Sequence, residues 1–428
     1  MLTPLGIALV MLGVGATVGT GIFFTMTEAV PKAGPAVILS FTIAGVTAGL
    51  TALCYAELAS NVPASGSSYS YTYATLGEFI AYIVAACLLL EYALAASATA
   101  IGWSAYLNNF LQNAFGLSLP EAIRSPMLET TKEGLSIHWG HVNLPPIILV
   151  GMCGFLLLRG ASESATANAI MVMIKLCILG FFVSVAFSAF NAGNFTPFFN
   201  ELGAEGVDAE HIGMAGVAAA AGTVFFSFIG LDTVATAGGE VKDPTRNVPR
   251  GIILALLIVT ASYILVAVAA VGAQPAAQFK GQEAGLSVIL QNVTGSTWPA
   301  LVLSAGAVIS VFSVTLVTIY GQTRILFAIS RDGLIPPAFH KVDSRTLAPV
   351  NNTVIVCAIV AMIAGFVDSS YLWDMVSMGT LVAFAMVSAA VPMLRARGMS
   401  RPGGFQVPFG PYVIPGLSIL ACLYIIEG

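Results

Sequence analysis

Charge is what this sequence has least of. Asp, Glu, Lys and Arg make up 9% of its 428 residues, against about 25% in an ordinary soluble domain, and nothing from Met1 to Thr27 is charged. With 57% hydrophobic residues and a mean hydropathy of +0.90, no separate soluble domain has room in it. The chain reads as a polytopic membrane protein whose partner is the lipid bilayer, and no nucleic-acid partner is expected. The net charge of -5 says little when most residues sit in lipid.

Other scarcities exclude whole classes. The six cysteines (54, 87, 153, 177, 357 and 422) stand singly in apolar segments, which speaks against a disulfide framework or a metal cluster. The four histidines (138, 141, 211 and 340) all fall between apolar runs. A His-based intramembrane protease is thereby set aside, and Asp232 has no evident mid-membrane aspartate to form a dyad. No Gly-x-x-x-x-Gly-Lys-Ser/Thr loop for ATP occurs. An enzyme is not expected, nor is any cofactor or metal. The first segment lacks a charged leader and a clear small-residue cleavage site, so it reads as a spanning helix rather than a signal peptide. The chain starts almost inside that helix and stops at Glu427-Gly428 straight after an apolar run, so trimming at one or both ends is expected.

What the chain does have is hydrophobic runs, at about 4–30, 35–60, 78–110, 144–160, 166–190, 212–238, 250–273, 297–325, 350–367, 370–394 and 411–426. Most are long enough to cross a bilayer as helices. With a cytoplasmic N-terminus, the inside loops hold eleven basic residues (Arg159, Lys242, Arg246, Arg250, Arg324, Arg331, Lys341, Arg345, Arg395, Arg397 and Arg401). The outside loops hold four: Lys32, Arg124, Lys132 and Lys280. The excess fixes the expected orientation, with the cell membrane as the expected location.

Two of these runs are interrupted. Gly13-Val14-Gly15-Ala16-Thr17-Val18-Gly19-Thr20-Gly21-Ile22-Phe23 sets four glycines in the middle of the first run, each costing about 1 kcal/mol of helix propensity against alanine. Glycine there lets the backbone leave the helix and frees N–H and C=O groups that lipid cannot satisfy. A face of small residues for close helix packing is the alternative reading. The sixth run repeats the pattern at Gly222–Asp232 and adds an acid. Runs one to five and six to ten form two blocks of five helices, and an odd block length makes the second enter from the opposite side. The expectation is an all-α five-plus-five inverted repeat of about 11–12 membrane helices, with helices one and six broken near 17–21 and 227–231. Its parts are 1–190, 212–394, and a loop with a last helix at 395–428. Matched broken helices point to a transporter's central site. An ion channel fits such a pair poorly, and a metal transporter would want soft or acidic ligands in the first break, which has none.

Several motifs occur in register: Gly19-Thr20-Gly21-Ile22-Phe23, Tyr55-Ala56-Glu57-Leu58, Pro63–Ser67 with Tyr69 and Tyr73, Phe226–Asp232, Glu240–Pro244 with Asn247 and Pro249, and Tyr320–Leu334. Together they resemble the amino acid–polyamine–organocation (APC) superfamily, in its cationic-amino-acid-transporter-like bacterial branch. The resemblance implies a secondary transporter importing amino acids, with a proton as the coupling ion. A small neutral amino acid permease, an amino acid/polyamine exchanger and a non-transporting receptor are the alternatives. It also implies roles for residues. Backbone N–H groups around Thr20 and Gly21, with the Thr20 hydroxyl, would hold the substrate carboxylate. Carbonyls near Ala16 or Thr17 and at Phe226, Ser227 and Ile229 would hold the ammonium, and Phe226 would cover the substrate. In similar proton-coupled permeases a lysine at the place of Lys175 stands in for sodium. Thr318 would lie on the pocket wall, where a small polar residue accompanies cationic substrates. A small single-span partner subunit is compatible with the family, and nothing in the sequence predicts it.

Three further groups stand out by chemistry. Lys175 lies mid-run, where an ammonium costs several kcal/mol unless paired or neutralised. Glu91 is either a protonated packing residue or part of the side-chain pocket. Asp232 would cap the second break or pair with a cation. Glu57 and Glu240 lie at run ends, as gate or loop anchors.

Overall fold

The computed structural model describes residues 4–62, 67–131, 134–159, 165–201, 212–230, 234, 243–282, 284–343 and 348–427. Each of the eleven apolar runs contains helix. The first is split into α1 (Pro4–Thr17) and α2 (Thr20–Ala33). α3 (Val37–Asn61), a short α4 (Ser67–Leu76) and α5 (Glu78–Phe115) follow. Then come a single turn, α6 (Glu121–Arg124), and α7 (Leu144–Leu158) and α8 (Ala165–Phe187). The second block runs through α9 (Gly213–Phe225), α10 (Pro244–Ala273), a short α11 (Gly285–Thr294), α12 (Thr297–Arg331), α13 (Val350–Phe366) and α14 (Ser370–Ala396). α15 (Gly410–Glu427) closes the described chain. Among the described residues, seven helical segments are long and apolar enough to cross a membrane, and α7, α9 and α13 are shorter apolar helices beside them. The only strands among the described residues form a hairpin, Leu128–Thr131 against Gly134–Ile137, pinned to the α13–α14 turn by the Leu128–Val367 bridge.

Helices of like position in the two blocks pack on each other. α2 meets α9, α3 meets α10, α5 meets α12 and α7 meets α13. This is the all-α inverted-repeat transporter architecture, and the broken helices one and six lie at its centre. Lipid offers no hydrophobic drive for helix association, so close approach of small residues has to supply it. Glycines sit at these seams. A Cβ at Gly45 of α3 would stand 2.7 Å from Thr260 of α10, one at Gly154 of α7 2.8 Å from Cys357 of α13, and one at Gly321 of α12 2.8 Å from Tyr92 of α5. Gly13 serves the same end, facing Val234 and Ala255. Both readings of the first glycine cluster therefore hold, at different residues: Gly13 packs, and Gly19 starts a new helix.

One end of the molecule carries α4, the described parts of the α12–α13 loop and the 397–409 loop, with Arg331, Arg395, Arg397 and Arg401 on or beside them; we term it the basic end. There the last turn of α3 grips the loop that follows α14. The fully buried Glu57 carboxylate accepts from Arg395 Nε at 2.6 Å and Nη2 at 2.7 Å, and from the Val407 N–H at 2.7 Å. Asn61 Oδ1 takes the Arg401 N–H at 2.7 Å and Ser60 Oγ the Phe405 N–H at 3.0 Å. Glu57 is thus a loop anchor, while Glu240 lies outside the described residues. α4 is tied in through Tyr69, whose hydroxyl donates to Asp332 Oδ2 at 2.9 Å. Burial first, and the Asp332 carboxylate second, hold that phenol above its ordinary pKa.

Candidate functional site

The two breaks meet face to face. α1 ends at Thr17, whose hydroxyl turns back onto the Gly13 carbonyl at 2.8 Å, and only Val18 and Gly19 separate it from α2. In the second break α9 tightens into a 3-10 turn at Phe226–Phe228, and Ile229 is extended at φ -63, ψ 143. Gly230 then takes φ +100, with its backbone so close to Ala16 that a Cβ would lie 2.6 Å from the Ala16 carbonyl oxygen. Gly21 is pressed as tightly on Ser227, where a Cβ would stand 2.4 Å from Cα. Any side chain at these two glycines would push the half-helices apart.

Opposed half-helices place complementary dipoles in one small volume. α2 begins here, and its first N–H groups have no intrahelical acceptor. They form the positive end of its dipole. The carbonyls of Ala16 and of 226–229 supply the negative counterpart. A zwitterion has one group for each.

Three polar side chains brace this backbone. Lys175, 1% exposed, donates from Nζ to the Gly15 carbonyl at 2.9 Å. The hydroxyl of the fully buried Tyr263, on α10, lies 2.8 Å from the Thr17 carbonyl and 2.9 Å from the Ser227 carbonyl, so its single proton is shared by both breaks. Tyr106 on α5 donates to the Phe23 carbonyl at 2.9 Å. Thr25 and Ser227 hydroxyls meet at 3.1 Å. Away from the basic end the site is covered by aromatic rings. Trp373 of α14 meets Phe226 edge-on at 4.6 Å and stacks on Phe24 at 5.9 Å, and Phe24 meets Tyr106 at 5.0 Å.

The structure thus brings together Ala16, Thr17, Gly21, Phe226, Ser227 and Ile229, with Lys175 behind the first of them. Thr20 starts α2, and its backbone belongs to the same cluster. Val314 of α12 covers the first break, its Cγ2 standing 2.2 Å from where a Gly19 Cβ would be. Thr318 lies one turn nearer the basic end on the same helix, half-buried, its hydroxyl bonded back to the Val314 carbonyl at 2.9 Å. Glu91 is buried and sits farther along. The α5–α12 register, fixed by Trp103 Nε1 on the Val308 carbonyl and Gln322 Nε2 on the Leu89 carbonyl, puts it about six residues, roughly 9 Å, beyond Val314. Its Cβ faces Gly379 of α14. Asp232 lies outside the described residues.

Sequence reasoning missed Tyr263 and Trp373. Tyr263 had a signal, since a tyrosine inside an apolar run must find a partner for its hydroxyl, but no pattern says which carbonyls it reaches. Trp373 had none beyond being an aromatic in a spanning helix.

Residues 6–426 match the amino acid permease family. The chain belongs to that family. It is 40% identical over 418 residues to the branched-chain amino acid permease BcaP of Bacillus subtilis, covering 98% of this chain and 86% of that protein. It is 39% identical over 417 residues to the methylthioribose transporter of the same organism, covering 97% and 86%. It is 36% identical over 397 residues to the vacuolar cationic amino acid transporter 4 of Arabidopsis thaliana, covering 90% of this chain and 62% of that longer protein. A permease of this family is a multi-pass membrane transporter and not an enzyme.

Proposed function

We propose that the protein imports amino acids across the cell membrane, driven by protons, with the basic end and the N-terminus in the cytoplasm. The observation that carries this reading is the juxtaposition of the two breaks. The α2 N-terminus suits a carboxylate, and the carbonyls left by Tyr263 and Lys175 suit an ammonium a few ångströms away. Relatives named for branched-chain amino acids, for cationic amino acids and for methylthioribose share this chain's length of sequence, so family alone leaves the substrate open. Recognition through backbone alone favours the group common to all amino acids.

Lys175 is the coupling residue in this reading. Charged, it donates to Gly15 and holds α1 to α8. Proton release toward the cytoplasm weakens that hold and lets α1 move. The substrate range is broad and includes Arg and Lys, because Thr318 leaves the wall below Val314 without bulk. Glu91 deepens the same side of the pocket. The parts of the molecule are one repeat over 1–190, its inverted copy over 212–394 and a trailing segment over 395–428.

Uptake by proteoliposomes of a radiolabelled amino-acid panel, with methylthioribose as a further probe, tests the proposal under imposed pH and sodium gradients. Accumulation of Arg, Lys and alanine-sized substrates under a pH gradient alone is expected. Dependence on sodium with indifference to pH rules out the coupling. Failure of Arg and Lys to compete replaces the reading by a small-neutral permease. Binding without accumulation makes the protein a receptor.

A further inference from the structure

Ser377 is one of three hydroxyls in the described helices, with Thr260 and Ser310, that are buried without a hydrogen-bond partner, and the transport reading does not use it. It sits in α14, 2% exposed, and its Oγ is buried without a hydrogen-bond partner. Buried hydroxyls in the protein's helices repeatedly bond back to the carbonyl four residues earlier: Thr380 to Val376 in the same helix, Thr315 to Val311, Ser97 to Ala93 and Thr17 to Gly13. Ser377 has the Trp373 carbonyl at that spacing and does not use it. Ser388, eleven residues on, finds Ser418 instead.

The helix face says where the hydroxyl points. Trp373 lies four residues before Ser377 and Phe384 seven after, which puts all three within about 40° around an α-helix. Trp373 packs on Phe226 at 4.6 Å and Phe384 on Phe225 at 5.7 Å. Those two rings belong to adjacent residues at the start of the second break, yet they reach positions eleven residues apart on α14. That phase places Ser377 on the side of α14 from which Trp373 and Phe384 reach the start of the second break. It lies one turn nearer the basic end than Trp373 of the aromatic cover.

We propose that Ser377 forms the α14 wall of the substrate's side-chain pocket and selects for substrates with a polar group on the β-carbon, by giving that group a hydrogen-bond partner. The inference rests on the amino-acid reading of the central site. A buried hydroxyl with no partner within the protein loses no internal bond when a ligand reaches it, whereas an apolar ligand leaves it unpaired. Discrimination by an otherwise unpaired polar group is stronger than discrimination by shape.

Threonine and valine test this, because they are nearly isosteric and differ by one hydroxyl. Tritiated threonine and valine uptake are measured in proteoliposomes of the unmodified protein, Ser377→Ala and Ser377→Cys. In Ser377→Ala the threonine-to-valine ratio of uptake efficiency is expected to fall about tenfold, with valine uptake within twofold of the unmodified protein. Ser377→Cys, with its weaker donor, should fall between, and it stands in if Ser377→Ala does not fold. Thermal unfolding without substrate should be unchanged or raised in Ser377→Ala, since no internal bond is removed; a clear drop means the hydroxyl holds the helix and overturns the proposal. So does a ratio unchanged within twofold. Should the unmodified protein take up neither amino acid, the amino-acid reading itself falls, and the selection proposed here falls with it. Uptake of both with no effect of either substitution refutes the role of Ser377 alone.

Discussion

Around the breaks, backbone carbonyls at the helix ends are met by single side chains: Lys175 on Gly15, Tyr263 on Thr17 and Ser227, and Tyr106 on Phe23. At the basic end the Glu57 carboxylate instead gathers two guanidinium N–H groups and one backbone N–H, while Asn61 and Ser60 each take another backbone N–H of the same loop. Isolated bonds to bare backbone can be broken singly, and they leave room for a ligand to take their place. A bidentate pair with its remaining lone pairs filled has no such freedom, because losing one partner strands a charge. The centre is therefore built to exchange partners, and the grip on the 397–409 loop is built to keep them.

If that contrast is right, substitution at the two places should fail differently. Arg395→Ala leaves Glu57 charged and buried, so it should lower stability by about 3 kcal/mol, read as a drop in unfolding temperature. Glu57→Gln with Arg395→Ala should recover part of that loss. A single variant as stable as the unmodified protein would show the grip to be replaceable.

Lys175→Ala should spare stability more and transport less. Loss of a charge-assisted bond of about 2 kcal/mol corresponds to roughly thirtyfold, and proton-driven accumulation should fall by at least that order. Normal pH-driven uptake in this variant contradicts the coupling role. Tyr263→Phe removes one neutral hydrogen bond shared by two carbonyls, a change of about 1 kcal/mol, or severalfold in uptake. Both breaks should loosen, so substrate affinity and maximal rate should decline together. A change in only one of them would mean that Tyr263 serves a single break.

Thr318→Met should redistribute activity rather than remove it, losing Arg and Lys while alanine-sized substrates continue. Equal loss of long and short substrates would take Thr318 off the pocket wall. The smallest effect belongs to Tyr69. Its pKa in the folded protein is raised above the unfolded value of about 10, so the Asp332 bond contributes fully below that pH and is lost only as pH rises through the folded value. Tyr69→Phe should cost about 0.5 kcal/mol, with no pH dependence between 6 and 9. A difference that grows across that range would show another titrating group at the basic end.

The sequence by itself determined the membrane class, the positions of the eleven apolar helices and the place of both interruptions. Hydrophobic runs and glycine clusters are local signals, and lipid enforces them residue by residue. It also marked Lys175 as exceptional, because a mid-run ammonium conflicts with its solvent wherever the helix packs. The short helices Ser67–Leu76 and Gly285–Thr294 and the 128–137 hairpin were not legible, since they lie in loops where no single solvent imposes a pattern. Only the tertiary structure decided that Gly13 packs while Gly21 meets Ser227, that Tyr263 joins the two breaks from a third helix, and that Glu57 closes on Arg395, 338 residues away. Each of these depends on which helix faces which. That is set by the approach of small residues along whole seams between helices distant in sequence, and no single stretch of chain records it.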